Sequence, residues 1–198
     1  QIVFDLRGNG GGLLREAVNI VNLFVPKGEE VVSMKGKTPE WNNNYSTQSK
    51  ALLPDIPLAI LIDNKSASAS EIVAGTLQDL DRALIVGQES FGKGLVQQTK
   101  KLAYGSRIKI TVAKYYTASG RCVQRLHYGD RDDRGDAKIQ ADSTLQTFYT
   151  KNGRPVIEGR GVIPDIEINT EKLNYVLSGI LDSGVLFDFA VNETNLGG

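Results

Sequence analysis

Three consecutive segments between residues 56 and 86 place the strongest constraint on the fold of this sequence. Residues 56–62 are apolar without interruption, which is typical of a strand buried on both faces. A serine-rich turn follows, and residues 72–80 then carry apolar side chains at helical spacing, while residues 83–86 are again β-type. Strand, helix and strand in succession predict an α/β fold.

Ser68 stands where the first of these strands turns into the helix. Ser68-Ala69-Ser70-Glu71 has the Ser-x-x-Glu pattern of a capping box. Ser68 would therefore lie beside unpaired backbone N–H groups and the positive end of the helix dipole, and such donors can hold a developing oxyanion. An isolated pattern of this kind is more often a plain helix cap, so two roles stay open: cap and nucleophile.

A serine nucleophile needs a base, and the chain offers one histidine, His127, in a charged polar stretch. Lysine is the better candidate. Lys93 lies between Gly92 and Gly94, which allow close backbone approach, and two residues after Phe91, which could help exclude water. As a base the lysine must be neutral, which requires a pKa lowered from about 10.4 towards 7 or 8 by burial. The alternative is a solvated loop lysine.

The same region also resembles a phosphate loop. Gly87-x-x-x-x-Gly92-Lys93 follows a predicted strand and nearly matches Gly-x-x-x-x-Gly-Lys-Ser/Thr. Gly94 stands where the hydroxyl that binds magnesium belongs, and residues 95–102 have no clear helical stripe. Nucleotide binding is therefore the weaker alternative.

Five segments, taken in order, resemble the carboxy-terminal processing proteases, which are tail-specific serine peptidases with a Ser/Lys dyad. The resemblance covers residues 1 to about 169 and implies a ClpP/crotonase-like α/β protease domain. The segments are Asp5-Leu6-Arg7-Gly8-Asn9-Gly10-Gly11-Gly12, Ser66-Ala67-Ser68-Ala69-Ser70-Glu71-Ile72-Val73-Ala74-Gly75, Ser90-Phe91-Gly92-Lys93-Gly94-Leu95-Val96-Gln97, Tyr115-Tyr116-Thr117-Ala118-Ser119-Gly120-Arg121 and Gly161-Val162-Ile163-Pro164-Asp165.

The resemblance also implies roles for individual residues. Ser68 matches the nucleophile, Lys93 the general base and Gln97 the residue that orients the lysine. The backbone N–H groups of Ala69 and of Gly11 or Gly12 match the oxyanion hole. The carboxyl groups of Glu71 and Asp79 match two supporting acidic positions. No metal or other cofactor is expected. Substrates would be protein or peptide C-termini held in extended form, and the compartment would be the periplasm or cell envelope of a bacterium.

Composition limits the alternatives. The chain has 198 residues, 40% of them hydrophobic, which is enough for one substantial core. A formal net charge of zero removes any electrostatic argument for nucleic acid or an anionic membrane as partner, and no nucleic-acid partner is expected. The single cysteine, Cys122, excludes an internal disulfide and a cysteine-based metal cluster. A non-catalytic peptide-binding or scaffold domain remains the alternative from another class.

The predicted organisation is a catalytic domain over 1–169 and a helix with a tail over 170–198. The chain starts inside a predicted strand at residues 1–6, without an initiator methionine, so we expect it to be truncated at its N-terminus. By resemblance, the first strands and a PDZ domain would be missing. A charged stretch at about 125–142 reads as an exposed or disordered insertion. Apolar residues at helical spacing over 171–189 predict a helix that docks either on the domain or on a second copy.

Several local features carry weaker predictions. The spacing of apolar residues predicts a helix over 13–25, and the polar residues 35–55 suit a loop or β-arm in which Trp41 packs under its own loop or contacts substrate. Tyr115 and Tyr116 could line a peptide groove or belong to the core. The segment 148–154 echoes 115–121, which predicts two similar turns that pair as a hairpin extension.

Overall fold

The computed structural model describes residues 1–139, 145–168, 175–185, 188–189 and 191–192. The chain divides into two compact units, Gln1–Ile168 and Asn169–Gly198. The helices and strands of the described residues are, in order, β1 (Ile2–Asp5), α1 (Leu14–Phe24), β2 (Glu30–Gly36), β3 (Asn43–Ser46), β4 (Leu58–Ile62), α2 (Ala69–Asp79), β5 (Leu84–Gly87), β6 (Leu95–Lys101), β7 (Arg107–Thr117), β8 (Leu126–Arg131), β9 (Ala137–Ile139), β10 (Thr147–Tyr149), β11 (Pro155–Ile157), β12 (Ile166–Glu167) and α3 (Tyr175–Asp182).

Two four-stranded sheets organise the first unit. One is parallel, with the strand order β1-β4-β5-β12, and the other is antiparallel, with the order β3-β2-β7-β6. The strand–helix–strand segment supplies β4, α2 and β5, with β4 and β5 paired in parallel. The predicted α/β class is confirmed.

Helix α2 is the central element of the core. All its residues are buried, and it contacts α1 as well as strands β2, β5 and β7. Because Ile60, Ile62 and Ile85 of the parallel sheet are buried beside it, the helix is enclosed by apolar surface on several sides. Its N-terminus, and with it Ser68, is therefore held in a fixed position by packing.

The polar segment 35–55 forms the predicted β-arm. Residues Pro39–Trp41 make a 3₁₀ turn, and β3 pairs antiparallel with β2. Trp41 is half-buried against the core, and a side chain at Gly36 would collide with its Cβ atom at 2.5 Å. The tryptophan thus packs under its own arm, in agreement with the first of its two predicted placements.

The charged stretch at 125–142 is structured where it is described. Strands β8 and β9 pair as an antiparallel hairpin, and a turn that links them is closed by hydrogen bonds to Asp132. Most of its residues are exposed, as expected for a charged insertion. Of the two predicted alternatives, exposed or disordered, residues 126–139 follow the first, because local pairing supplies partners for the backbone. Residues 140–142 lie outside the described part of the chain.

The sequence echo corresponds to two turns with the same hydrogen bonds. In each, the threonine N–H donates to the arginine carbonyl and the glycine N–H to the threonine carbonyl, over 117–121 and over 150–154. They do not pair with each other as predicted, since β10 pairs with β11 while β7 pairs with β2 and β6. Both instead bind the end of α2, where they donate N–H groups to Asp79 and Asp81.

The second unit is described only in part. Helix α3 covers eight residues of the longer helix predicted over 171–189, and residues 171–174, 186 and 187 of that range lie outside the described residues. Val176 and Ile180 of α3 are exposed. No helix in the described part of the chain has the length and apolar character needed to cross a membrane.

Candidate active site

The turn from β4 to α2 is tied to the turn after β1. The Asp63 carboxylate accepts hydrogen bonds from the N–H groups of Gly8, Lys65 and Ser66 at 2.9–3.0 Å. Ser66 is buried, and its hydroxyl donates to the Leu6 carbonyl at 2.8 Å. These bonds explain why Ser66 is structural although it lies two residues from Ser68.

Ser68 has an unusual backbone conformation at the start of α2. Its φ is 58° and its ψ is −116°, a combination that costs a non-glycine residue about 1–3 kcal/mol. An ordinary helix cap is extended at this position, so capping alone does not require the strain. Such strain is common where the chain must present a side chain to a reacting group.

Glu71 joins the backbones of Ser68 and Lys93. Its Oε2 accepts the N–H groups of both residues at 2.8 Å. Its Oε1 accepts the Gly92 N–H at 2.7 Å and the Ser90 hydroxyl at 2.6 Å. Burial raises the pKa of this carboxyl, and the four donors oppose that shift. The predicted capping bond to Ser68 is confirmed, and it is one of four bonds that hold the two segments together.

Tyr115 makes a second link between the same two residues. Its hydroxyl lies 3.1 Å from the Ser68 carbonyl oxygen and is also hydrogen-bonded to the Lys93 carbonyl. The ring is buried in the core, and burial raises the pKa of the hydroxyl, which therefore stays protonated as a donor. Tyr115 thus belongs to the core, one of its two predicted placements, and it also orders the site.

Gly11 brings the glycine turn against the start of α2. Its φ is +98°, and a Cβ atom here would lie 2.9 Å from Ser68 Cβ and 2.8 Å from the Ala69 nitrogen. The Gly11 N–H already donates to Asn9 Oδ1 at 2.9 Å, so it is engaged. Among the predicted oxyanion donors, the N–H groups of Ala69 and Gly12 are therefore the better pair, because the first amides of a helix lack acceptors within it.

Gly11→Ala should lower kcat/KM about 100-fold, because the new methyl group must displace the backbone at Ser68 and Ala69. Gly10→Ala is the matched control, since a Cβ atom at Gly10 meets no atom within 4 Å. Kinetics on a fluorogenic peptide would compare the two variants. Equal rates for both would show that the turn does not shape the site.

Two adjoining cavities meet at β6. A groove of about 350 Å³ is lined by Ser68, Ala69, Gly12 and Tyr115 together with the first residues of β6. A second cavity of about 270 Å³ is lined by Phe91, Gly92, Lys93, Leu95, Gln97, Gln124, Leu126 and Tyr128. Leu95 and Gln97 line both cavities, so the Ser68 groove and the Lys93 cavity adjoin at the start of β6.

The other predicted site residues take different positions. Gln97 is exposed and makes no side-chain hydrogen bond within the described residues, so its role in orienting the lysine stays a prediction. Phe91, at 47% exposure, forms part of the wall of the Lys93 cavity. His127 lies on β8 and lines a third cavity of about 410 Å³, which Ser68 does not line.

Asp79 supports the fold at the far end of α2. It is buried, pairs with the buried Arg121 at 3.0 Å and accepts hydrogen bonds from Thr117 and Ser119. Its helix position, eleven residues after Ser68, places it about 16 Å from the nucleophile. The role implied by the resemblance is structural, and these contacts agree with it.

The phosphate-loop interpretation does not fit this geometry. The N–H groups of Gly92 and Lys93 donate to Glu71, and that of Gly94 donates to Gln124 at 2.8 Å. A phosphate loop needs such groups free and a helix after the lysine, whereas a strand, β6, follows here. We therefore reject nucleotide binding.

Known proteins match both the sequence and the fold. A family model described as peptidase family S41 matches residues 1–129. The "Carboxy-terminal-processing protease" of Bartonella bacilliformis is 44% identical over 124 residues, which is 63% of this chain and 28% of that protein. The "Probable CtpA-like serine protease" of Staphylococcus epidermidis is 36% identical over 173 residues, or 87% of this chain and 28% of that protein.

Among solved structures, the photosystem II D1 C-terminal processing protease superposes with a TM-score of 0.61 at 30% identity. The match covers 90% of this chain and 37% of that structure. The matches therefore span between 28% and 37% of the length of these relatives. The family match covers well over half of the chain, and it includes Ser68, Lys93 and Gln97. The chain belongs to peptidase family S41, as its resemblance to the carboxy-terminal processing proteases predicts.

Proposed function

We propose that the protein carrying this chain is a serine endopeptidase that cleaves polypeptides near their C-termini through a Ser68/Lys93 dyad. One observation supports this most directly: Glu71 and Tyr115 each bind the backbones of both Ser68 and Lys93. These bonds join two separate segments of the chain, and Gln97 lines both the Ser68 groove and the adjoining Lys93 cavity.

In the proposed reaction, the neutral Lys93 amine takes the proton of the Ser68 hydroxyl as its oxygen attacks the scissile carbonyl carbon. The N–H groups of Ala69 and Gly12 stabilise the oxyanion. The protonated lysine then donates its proton to the leaving amine, and an acyl-enzyme forms on Ser68. Water, deprotonated by Lys93, hydrolyses that ester and restores both residues.

Strand β6 offers a route for an extended substrate. It starts two residues after Lys93, and its partner within the antiparallel sheet is β7 alone, so its other edge is available among the described residues. Its residues 95–98 line the Ser68 groove. A polypeptide tail can add to such an edge by main-chain hydrogen bonds, which holds it extended beside the nucleophile.

Covalent labelling with a fluorophosphonate tests the nucleophile in the protein at its natural length. We expect mass spectrometry to find the adduct on Ser68, and Ser68→Ala to abolish it. Ser70→Ala is the matched control, because Ser70 is buried two residues further along α2 and should leave labelling unchanged. Absence of labelling in the wild type would favour a non-catalytic peptide-binding domain.

A further inference from the structure

Positive charge is concentrated in one stretch of a chain whose formal net charge is zero. Between residues 90 and 129 there is no aspartate or glutamate, while the basic residues are Lys93, Lys100, Lys101, Arg107, Lys109, Lys114, Arg121 and Arg125. The whole chain has 23 basic and 23 acidic residues, but residues 90–129 carry a local excess of positive charge.

In the β6–β7 hairpin, several of these basic side chains lie on one face. Three cross-strand pairs follow one another at every second residue: Gln97 with Thr111, Thr99 with Lys109, and Lys101 with Arg107. Side chains at this spacing lie on the same face of a ribbon. We call this row, Thr99, Lys101, Arg107 and Lys109, the cationic face.

The three cations of this face have no ion-pair partner among the residues that the structure describes. Lys101, Arg107 and Lys109 are exposed, and none forms an ion pair in the described part of the chain. Other basic residues of the unit are paired, among them Arg121 with Asp79 and Arg125 with Glu89. The cationic face is thus free to bind an external anion.

The cationic face continues from the candidate active site. Along the hairpin, the cationic face lies next to the pair Gln97 and Thr111. These two residues and Lys114 line the cavity of about 410 Å³. Gln97 also lines the Ser68 groove. A chain that leaves this groove past Gln97 in extended form reaches the level of Lys101 after roughly 13 Å, or about four residues.

We propose that the cationic face binds acidic side chains of the substrate, so that the enzyme prefers polypeptides with aspartate or glutamate about four residues from the segment bound at Gln97. The inference rests on the proposed function. A polypeptide fits better than a nucleic acid or a lipid surface, because the charged face is only two strands wide and continues from the peptide groove.

Two fluorogenic peptides of the same core sequence test this, one with three aspartates at the proposed distance and one with asparagines there. At low salt, the wild type should show a KM about tenfold lower for the acidic peptide, with kcat unchanged. Lys101→Glu/Arg107→Glu/Lys109→Glu should abolish this preference and leave the asparagine peptide unaffected. A triple reversal at the exposed Lys27, Lys37 and Lys50 is the matched control.

Other outcomes would overturn the proposal. Equal KM values for both peptides in the wild type would contradict it. Loss of binding to heparin or to anionic vesicles in the triple variant, with equal peptide KM values, would assign the cationic face to another polyanion. If the wild type cleaves neither peptide and Ser68 is not labelled, the proposed function itself fails; labelling of Ser68 without any acidic preference removes only this inference.

Discussion

Lys93→Met should lower kcat by about 10²- to 10⁴-fold and leave the fold intact. The anchors of residue 93 are its backbone groups: the N–H donates to Glu71, and the carbonyl accepts from Tyr115. Methionine keeps both anchors and replaces the half-buried side chain with one of similar length. The loss would therefore report the missing amine. Steady-state kinetics and a thermal melt of the same samples would measure it.

One further variant and its control separate proton transfer by Lys93 from the effect of its positive charge. Arginine at position 93 keeps the charge and cannot be deprotonated, so Lys93→Arg should be about as inactive as Lys93→Met. Lys65→Met is the control, because Lys65 is exposed on the serine turn three residues before Ser68. Substantial activity in Lys93→Arg would assign the lysine an electrostatic role and exclude it as the general base.

The parallel sheet and helix α2 could be predicted from the sequence because their signals are local. The continuous apolar run of β4 and the helical spacing of α2 each depend on a few neighbouring residues. The capping box likewise predicted the bond from the Ser68 N–H to Glu71. Each of these features is fixed by residues within about four positions of one another.

The resemblance, by contrast, supplied the pairing of Ser68 with Lys93, since no local pattern joins residues 25 positions apart. The contacts that join the backbones of these two residues were not predicted. Glu71 reaches Ser90, Gly92 and Lys93 only because the loop after β5 returns to the start of α2. The strand periodicity that buries Tyr115 was visible, but the placement of its hydroxyl depends on the sheet's position against the helix.

The distribution of charge could not be predicted from the net charge. The formal net charge is zero, yet Lys101, Arg107 and Lys109 share one face of a hairpin. The hairpin register decides this, because a shift of one residue would move these side chains to opposite faces. Register depends on the turn and on the bulge between Val96 and Gln97, and neither was evident from composition.

Glu71→Gln should lower the free energy of unfolding by about 3 kcal/mol and reduce kcat in the protein that remains folded. The carboxylate accepts four hydrogen bonds, two at each oxygen. In glutamine, the side-chain nitrogen must face two of these donors, whichever way the amide is oriented, so two buried polar groups lose their acceptor. Chemical denaturation would measure the loss, with Glu16→Gln, at an exposed position in the first turn of α1, as the control.

The effect on catalysis would follow from which donors lose their partner. If the amide nitrogen replaces Oε2, the N–H groups of Ser68 and Lys93 separate, because that one oxygen holds both. If it replaces Oε1, the loop at Ser90 and Gly92 is released, and Lys93 moves with it. Either orientation disturbs the proposed dyad, so kcat should fall more than KM rises. A variant of reduced stability with unchanged kcat would show that Glu71 supports the fold alone, and that Tyr115 suffices to hold Ser68 and Lys93 together.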